Sequence, residues 1–490
     1  MKETDFPVDP QFDKLIAEKA PCSSWGVFGA HDPSLLYADG EYYAFSTGTF
    51  GENYYQIRRS KDLIHWQYAG QAFPKGIRAS LAPVVDEVLS CGAELKNDTL
   101  WAPDVVPAAQ GGYWLYGCYS AMFGTNHSGI FLAWSEQAAG EYTLVAPLVS
   151  TGGHWGSAPN AIDPQIFYDG DRMYMTYGSF FGGIRILELD PATGLRKDGF
   201  TLADHRSGKI TDEEYYGKLI LPSDNAEGGV VHVRRGVPVT QGDVFSEKTQ
   251  TVQKDLFYLV VSADSLFRDY NMRLFVSERA EGGFVTDRCG LHGLKLCSSF
   301  SWRHSSRDKR IGFDFAVPGH NDLFTTPDGV DLVVYHNRTP MKQKKFRPHY
   351  LFLSMFACNS PGDLVMSPNR YAGERLRTVR REELAGKQFD FLELSDDNRA
   401  AVYAARGLTL EEDGRITVGA KERGRWKLYG EYFIAFDFGD QRYHGCVMPA
   451  WIEAEKRAGL TVSARGEKGL PFFMNQNFGE ETKNKPRSLS

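Results

Sequence analysis

Residues 162–180 read IDPQIFYDGDRMYMTYGSF. Two runs rich in Ile, Phe, Tyr and Met flank the sequence DGD, in which glycine accepts the positive φ that a tight hairpin turn requires. An acidic residue, Asp163, opens the first run, and small polar residues end the second. The stretch therefore predicts a β-hairpin that begins beside a carboxylate.

The same arrangement occurs at four other places in the chain. Clear copies begin with HDPSLLYADG at His31 and APDVVPAAQGG at Ala102, and a third reads GHNDLFTTPDGVDLVVYHNR from Gly319. The remaining copy begins with EGGVVHV at Glu227 and resumes, after an insertion, with DLFYLVVSAD at Asp255. A four-stranded propeller blade needs about 40 to 50 residues plus loops. Five copies therefore predict an all-β fold in which residues 1–370 form a five-bladed β-propeller.

The C-terminal part of the chain, residues 371–490, has a different pattern. Segments such as RITVGAK, KLYGEYFIAFDFGD and GLTVSAR alternate with charged or glycine-containing turns. Short strands separated by such turns are typical of small β domains. We therefore expect a second domain, a small β-sandwich or barrel.

Charge and targeting patterns limit the partners and the location. The chain has 55 Lys and Arg against 62 Asp and Glu, a formal net charge of -7, so we expect no nucleic-acid partner and a neutral substrate. The N-terminal segment MKETDFPVDPQFDKLIAEKA lacks the apolar core of a signal peptide, and no later segment approaches the length of a membrane span. We expect no membrane partner and a cytoplasmic location, or a secreted protein if a leader has been removed.

The cysteines point to the same compartment. Seven cysteines are scattered along the chain without a CxxC pair, and an odd number argues against a fully paired disulfide framework. They are interpreted as mostly buried thiols in a reducing environment. The sequence leaves the oligomeric state open.

The openings of the five repeats are the candidate functional positions. In a propeller the first strand of each blade lines the central channel, so residues that open these strands meet at one mouth. The polar residues at or beside the openings are Asp32, Asp104, Asp163, Glu227 and His320. Carboxylates held close together raise one another's pKa, which costs stability unless the site uses them.

Hydrolysis of a glycosidic bond uses such a set of carboxyl groups. One carboxylic acid protonates the leaving oxygen, while a carboxylate activates water or attacks the sugar. A separation of about 6.5 to 9.5 Å implies inversion and about 5 to 5.5 Å a covalent intermediate, so the sequence leaves both mechanisms open. A structural role is the alternative, because Asp-Pro is an ordinary turn or strand-entry pair. Glu227, which no proline follows, favours the chemical role.

Eight motifs occur in the order of a known family. They are HDPS at 31–34, WAPD at 101–104, SAPNAIDP at 157–164, YGSFFGGI at 177–184, AEGG at 226–229, DYNMRLFVSE at 269–278, PGHN at 318–321 and YHNR at 335–338. Together they resemble glycoside hydrolase family 43, in particular its endo-1,5-α-L-arabinanases that carry a C-terminal β domain. The resemblance covers nearly the whole chain.

The resemblance implies a role for four residues. Asp32 of HDPS would be the general base and Glu227 of AEGG the general acid, while Asp163 of NAIDP would tune and orient that acid in an inverting mechanism. His320 of PGHN resembles the sole protein ligand of one hydrated ion, usually calcium or else another cation. Because such a cation prefers about 6 to 8 oxygen ligands, water would have to complete its coordination shell.

Other residues in these motifs are candidates for contact with the sugar. Trp101 and Phe180 are predicted to stack on sugar faces, and Asn160 and Ser179 to bond to sugar hydroxyls. The competing interpretation for the aromatic residues is blade core, which holds most Trp and Phe of a propeller.

Neighbouring positions are interpreted as supporting ones. Asp104 is expected to be structural and to accept hydrogen bonds from nearby backbone, and His31 and His336 to pack beside the pocket. Arg338 would reach the pocket floor or bind a carboxylate. The chain also departs from the family pattern, with Gly229 after the acid and Phe181 in the YGSF motif, where Pro and Trp are common; both changes bear on the length of the preferred substrate.

These observations predict an inverting glycoside hydrolase that cleaves α-1,5-L-arabinofuranosidic bonds in arabinan or arabino-oligosaccharides. One alternative is an exo-acting α-L-arabinofuranosidase or β-xylosidase, because the same three carboxyl groups serve those reactions. Another is a carbohydrate-binding propeller without turnover, against which the intact set of carboxyl groups argues.

Overall fold

The computed structural model describes residues 27–48, 54–93, 96, 98–152, 158–246, 248–302, 315–338, 349–396 and 403–479. Within these ranges the chain forms five four-stranded antiparallel sheets and one closed eight-stranded barrel. In each four-stranded sheet the strands are neighbours in the order in which the chain forms them. Each sheet is therefore an up-and-down meander, the architecture of a propeller blade.

The first three blades contain β1 (His31–Ala38), β2 (Glu41–Thr47), β3 (Gln56–Ser60), β4 (Gln67–Gln71), β5 (Thr99–Pro107), β6 (Tyr113–Ser120), β7 (Ser128–Ser135), β8 (Thr143–Thr151), β9 (Gln165–Asp169), β10 (Arg172–Tyr177), β11 (Ile184–Leu189) and β12 (Lys218–Leu221). The last two contain β13 (Ala226–Asp243), β14 (Lys248–Ala263), β15 (Asn271–Ser277), β16 (Leu294–Cys297), β18 (Ala316–Thr325), β19 (Asp331–Arg338), β20 (His349–Cys358) and β21 (Leu364–Met366). Between them lies β17 (Phe300–Ser301).

The innermost strands close the ring. β1 contacts β5, β5 contacts β9, β9 contacts β13, β13 contacts β18, and β18 contacts β1. Five blades therefore surround one axis, and the predicted five-bladed propeller is confirmed. Because all five inner strands run in the same sense, their first residues lie at one end of the channel, which we call the mouth.

A β-bulge interrupts most of the inner strands near their first residues. The register shifts lie between His31 and Ser34, Trp101 and Asp104, Glu227 and Val230, and Gly319 and Asp322. The residues that take a positive φ at this point are Asp32 (49°), Ala102 (42°), Asp163 (59°), Gly228 (59°) and His320 (47°). Bulges re-aim side chains, and positive φ at residues other than glycine is concentrated at functional sites.

The bulges refine which residues are equivalent. Asp32, Asp163 and His320 share one position in their blades, whereas Glu227 precedes that position by one residue and Asp104 follows it by two. The carboxyl groups of Asp32 and Asp163 are therefore presented by a turned backbone at the mouth. Asp104 lies further along its strand.

The C-terminal domain is a closed barrel. Its strands are β22 (Lys387–Glu393), β24 (Arg406–Leu410), β25 (Arg415–Val418), β26 (Lys421–Tyr429), β27 (Phe433–Phe438), β28 (Gln441–Ile452), β29 (Arg457–Gly466) and β30 (Pro471–Asn477), and β22 pairs with β30. Buried aromatic residues, among them Phe391, Trp426 and Phe472, fill the interior. Of the two predicted forms, the structure therefore has the barrel, and the predicted boundary at residues 370 and 371 falls between β21 and β22.

The barrel packs against the outer edge of the propeller. Strand β29 contacts β21, and β30 contacts β16. Arg465 of β29 is buried and donates hydrogen bonds to the carbonyl oxygens of Lys295 and Leu364, at 2.5 and 2.9 Å. A short parallel pair, β17 with β23 (Tyr403–Ala404), also joins the two parts. These contacts hold the outermost strands of blades 4 and 5, away from the mouth.

Helices are few in the described residues. They are α1 (Ile77–Ser90), α2 (Leu202–Arg206), α3 (Asp212–Tyr216) and a 3-10 turn at Arg381–Glu383. The buried residues of α1 follow a helical spacing, and the helix packs on β7 and β8. None of these helices has the length and apolar character needed to cross a bilayer. The described cysteines, six in number, are free thiols, and Cys22 lies outside the described residues.

Candidate active site

The three predicted catalytic residues lie at the mouth and come from three blades. Asp32 opens β1 of blade 1, Asp163 precedes β9 of blade 3, and Glu227 lies at the start of β13 of blade 4. Asp32 and Asp163 are only 5% and 2% exposed, and Glu227 is half-buried. His320 contacts both aspartates, and the Gly228 backbone N–H, next to Glu227, donates to Asp163.

Asp32 is surrounded by groups that stabilise its charged form. The Thr47 hydroxyl donates a hydrogen bond to Oδ2 at 2.7 Å, His31 Nδ1 lies 2.5 Å from the same oxygen, and His320 Nδ1 lies 3.1 Å from Oδ1. Burial alone would raise the pKa of Asp32, but the charges of His31 and His320 and the hydrogen bonds of His31 and Thr47 lower that pKa to about 2. Asp32 is therefore ionised at neutral pH, as a general base must be.

Asp163 has the opposite environment. Burial, followed by the charges of Glu227 and Asp32, raises the pKa of Asp163 well above its ordinary value, and a hydrogen bond from the Gly228 backbone N–H opposes this only in part. Since that N–H belongs to the residue after Glu227, it also ties Asp163 to the strand that carries the predicted acid. The pKa values of the two aspartates are thus shifted in opposite directions although the residues occupy equivalent positions.

Two hydroxyl groups fix the carboxyl group of Glu227. Ser179 donates a hydrogen bond to Oε2 at 2.8 Å, and the Tyr270 hydroxyl donates to Oε1. Ser179 also forms a backbone bridge with Glu227, and the neighbouring Phe180 N–H donates to the Ala226 carbonyl at 2.8 Å. The loop after β10 is therefore attached to the start of β13. Each carboxyl oxygen of Glu227 is held by a hydrogen bond from one hydroxyl group.

His320 lies between the two aspartates. Its backbone N–H donates to Ser262 Oγ at 2.6 Å, and its Nε2 is 4.0 Å from Asp163 Oδ1. This Nε2 is buried and has no hydrogen-bond partner among the described residues. A Cβ at Gly228 would lie 3.2 Å from Nε2, 3.3 Å from Cε1 and 3.4 Å from Cδ2, so glycine lets the start of β13 pack against the face of the imidazole ring. His320 therefore presents one free imidazole nitrogen to the site, which fits a hydrated cation.

Three further histidines pack behind Asp32. Potential ligand atoms of His31, His336 and His349 lie within 4.8 Å of one another. However, the rings of His31 and His336 are stacked at 4.4 Å, with 17° between their planes, so their lone pairs do not converge on one ion. Arg338 Nε donates to His349 Nε2 at 2.8 Å. Burial, followed by the charge of His31, lowers the pKa of both His336 and His349 well below the ordinary value. His31 and His336 therefore lie beside the pocket, as packing and hydrogen-bonding neighbours of Asp32.

The predicted sugar-contacting residues have different surroundings. Trp101 is half-buried with its ring 6.0 Å from that of Phe123, and Phe180 is half-buried with a φ of 55°. Asn160 is buried and accepts a hydrogen bond from Ser128 Oγ at 2.6 Å. As described above, the Ser179 hydroxyl is directed at Glu227. Contact of these four residues with a sugar stays a prediction.

Asp104 has the structural role that was expected. Its Oδ2 accepts a hydrogen bond from the Ile166 N–H at 2.6 Å, which joins blade 2 to blade 3. Asp322, at the same position in blade 5, accepts from the Leu35 N–H of blade 1 at 2.8 Å. Burial, then the charge of Asp322, raises the pKa of Asp104 to about 8.

Two site residues were missed by the sequence analysis. Tyr270 lies in the quoted motif DYNMRLFVSE, and Thr47 belongs to the small polar residues that end the first repeat. Both residues lie inside repeats or motifs that the sequence shows. Their roles could not be predicted, because Thr47 bonds to Asp32 on another strand and Tyr270 bonds to Glu227, which is distant in sequence.

Comparisons with known proteins agree with this geometry. Residues 28–215 match the family model described as glycosyl hydrolases family 43, and residues 368–474 match one described as a C-terminal lipocalin-like domain. The chain is 29% identical to an extracellular endo-α-(1→5)-L-arabinanase of Thermotoga petrophila, over 94% of this chain and 95% of the relative. It is 25% identical to extracellular endo-α-(1→5)-L-arabinanase 2 of Bacillus subtilis, over 90% and 91%.

A solved structure extends the comparison to the whole architecture. The crystal structure of endo-1,5-α-L-arabinanase from Thermotoga petrophila superposes with a TM-score of 0.74 at 25% identity, and the match covers 92% of this chain and 99% of that one. The match therefore extends over both domains. Together with the carboxyl groups at the mouth, the matched models show that residues 28–215 form a glycosyl hydrolases family 43 domain, which is followed by the C-terminal domain at residues 368–474.

Proposed function

We propose that this protein hydrolyses α-1,5-L-arabinofuranosidic bonds in arabinan or arabino-oligosaccharides, with inversion at the anomeric carbon. The observation that carries the proposal is the meeting of Asp32, Asp163 and Glu227, from three blades, around His320. The two relatives described above are named as endo-acting arabinanases, which supports the linkage. Both are also named extracellular, which supports the secreted location over the cytoplasmic one.

The two oxygens of Asp32 divide the work of a general base. Oδ2 is held by Thr47 and His31, while Oδ1 is buried and lies 3.1 Å from His320 Nδ1. Because Oδ2 is already occupied by two groups, Oδ1 is the oxygen that would take a proton from the attacking water. As the water oxygen bonds to the anomeric carbon, Glu227 gives its proton to the leaving oxygen and the glycosidic bond breaks. Asp163 accepts a hydrogen bond from the Gly228 N–H, so it is tied to the strand that carries Glu227 and would orient that acid.

A cation at His320 is a further part of the proposal. The support is the Nε2 of His320, which is buried and has no hydrogen-bond partner among the described residues. One imidazole with water as the other ligands suits calcium or a similar ion. When bound, the ion would supply positive charge that favours ionised carboxylates nearby. Calorimetric titration with Ca²⁺ tests this: the wild type should bind one ion and His320→Ala should not, whereas the exposed His65→Ala should bind as the wild type does.

The test of the reaction is product analysis by NMR on linear arabino-oligosaccharides, which reports linkage and anomeric outcome together. The wild type should release products of inverted configuration. Asp32→Asn and Glu227→Gln should each lower kcat by about 10²- to 10⁴-fold, and Asp171→Asn, an exposed aspartate in the β9–β10 turn, should match the wild type. Products of retained configuration would reject the assignment of Asp32 as base. Binding of arabinotriose without turnover would favour the non-catalytic alternative.

A further inference from the structure

Two large apolar side chains stand out at the mouth. Phe123 and Phe267 are 61% and 63% exposed, in the loops that follow β6 and β14. The end of β6 pairs with the start of β5, and the end of β14 pairs with the start of β13. Both loops therefore lie at the end of the propeller that carries Asp32 and Glu227. Exposed aromatic side chains beside a site mark a binding role more often than a core role.

These two side chains touch each other across the mouth. The ring centroids of Phe123 and Phe267 are 6.3 Å apart, with the edge of one ring toward the face of the other. Phe123 also contacts Trp101 of blade 2 at 6.0 Å, and the guanidinium carbon of Arg338, at the end of β19 in blade 5, lies 5.5 Å from the Phe267 ring. The contacts therefore run without a break from blade 2 through blade 4 to blade 5.

The two ends of this row belong to residues that are bound to the blades. The Arg338 side chain is 8% exposed and donates to His349, and the backbone of Trp101 is held by the Tyr55 hydroxyl, which donates to its carbonyl at 2.8 Å. Between Phe123 and Phe267 there is only the contact of two rings, which contributes little to stability. The row can open at this point without loss of the fold.

We propose that Phe123 and Phe267 form an aromatic bridge over the mouth that restricts attack in the interior of a long chain. A row from blade 2 to blades 4 and 5 separates the opening of blade 1, with Asp32, from that of blade 3, with Asp163. A sugar chain that contacts both openings therefore passes beneath the rings. A chain end can thread there, whereas an interior segment of a polymer enters only when the rings part. This inference rests on the proposed function and assigns its chain-length preference to this pair.

The test compares linear α-1,5-arabinan with arabinotriose. Phe123→Ala and Phe267→Ala should raise kcat/KM on arabinan about three- to tenfold, the range expected when one aromatic contact no longer has to open. The fall in viscosity per reducing end should also increase, because more cuts occur inside chains. Activity on arabinotriose should stay within about twofold of the wild type. The control is Tyr168→Ala, an exposed aromatic residue of β9, which should change neither value.

The outcomes separate the bridge from the reaction. The bridge would be overturned if both phenylalanine variants kept the wild-type fall in viscosity per reducing end. It would also be overturned if kcat/KM fell equally on arabinan and arabinotriose, because the rings would then only bind the sugar. Phe123→Cys with Phe267→Cys, joined by a short bifunctional thiol reagent, should retain activity on arabinotriose and lose it on arabinan, while the same variant capped with N-ethylmaleimide keeps both. Equal activity of joined and capped protein on arabinan would also overturn the bridge. If the wild type cleaves neither substrate, the proposed function alone fails, and cross-linking still shows whether the rings meet.

Discussion

The hydroxyl of Thr47 orients Asp32 and is itself held by a neighbouring blade. It donates to Asp32 Oδ2 at 2.7 Å and accepts from the Ala102 N–H at 2.9 Å. Because the Ala102 N–H occupies an acceptor position of the oxygen, the hydroxyl hydrogen is available for the carboxylate. Asp32, the proposed base in blade 1, is therefore aligned by a contact that passes through blade 2.

Thr47→Val should separate this alignment from packing, since valine keeps the shape and removes the hydroxyl. Asp32 would lose a donor, and the buried Ala102 N–H would lose its acceptor, which costs about 1 to 3 kcal/mol. We expect kcat on arabinotriose to fall about tenfold or more. Thr47→Ser, which retains the hydroxyl, should stay close to the wild type. A Thr47→Val enzyme with unchanged kcat would show that the hydrogen bond does not matter for the base.

Tyr270→Phe tests the orientation of the acid. The variant removes the hydroxyl that donates to Glu227 Oε1 and leaves the ring, which stacks on His336 at 5.7 Å. We expect kcat to fall by about tenfold with little change in KM, because an oriented proton donor matters in the transition state more than in binding.

A matched control exists for this change on another face of the propeller. Tyr174 donates a hydrogen bond to Glu281 Oε1 at 2.7 Å, so Tyr174→Phe removes the same kind of bond away from the mouth. Its kcat should equal that of the wild type. Equal losses in the two variants would mean that Tyr270 acts through stability alone, which a thermal melt of both would verify.

The meeting of Asp32 and Asp163 at the mouth could be predicted from sequence because each blade repeats its own opening. Asp32 and Asp163 are each followed by proline at the opening of a hairpin repeat. The repeat therefore already implies that the two aspartates meet. What the repeat did not reveal is that their pKa values differ, lowered in Asp32 and raised in Asp163. That difference depends on neighbours that are not part of the repeat, such as His31 beside Asp32 and Glu227 beside Asp163.

Elements outside the repeat were harder to predict. Helix α1 lies between blades 1 and 2, contains Pro83 and has a non-helical residue at Leu81, so its pattern is weak in sequence. Tyr270 reaches Glu227 from a loop 43 residues further along the chain. Contacts of this kind follow from the closure of the ring, which no local pattern encodes.

Asp104 should make stability depend on pH. Its pKa in the folded state is about 8, against an ordinary value of 3.8, because of burial and then the charge of Asp322. A carboxyl group with a raised folded-state pKa contributes its stability fully below the ordinary value, and that contribution is lost as the pH rises through the folded value. The Tm of the wild type should therefore fall between pH 5 and about 8. In Asp104→Asn the fall over the same range should be smaller, by about 2 °C or more.

The same position tests the link between blades. Asp104→Ala removes the acceptor of the Ile166 N–H and should lower Tm at every pH, whereas Asn can still accept that bond. In both variants kcat should remain within about threefold of the wild type, because the side chain makes no contact with the three catalytic residues. A Tm profile of Asp104→Asn that follows the wild type would show that Asp104 does not titrate in this range.

Gly319 should be required for the position of Tyr270. A Cβ at this residue would lie 2.3 Å from two carbons of the Tyr270 ring, far inside contact distance, and the ring cannot yield because its hydroxyl is bound to Glu227. Gly319→Ala should therefore lower Tm and also reduce kcat at least as much as Tyr270→Phe does. Gly407→Ala in the barrel is the control, since its Cβ would meet nothing within 4 Å. If Gly319→Ala lowers Tm but leaves kcat unchanged, Tyr270 can move without loss of the acid, and its role would be to fill space beside His336.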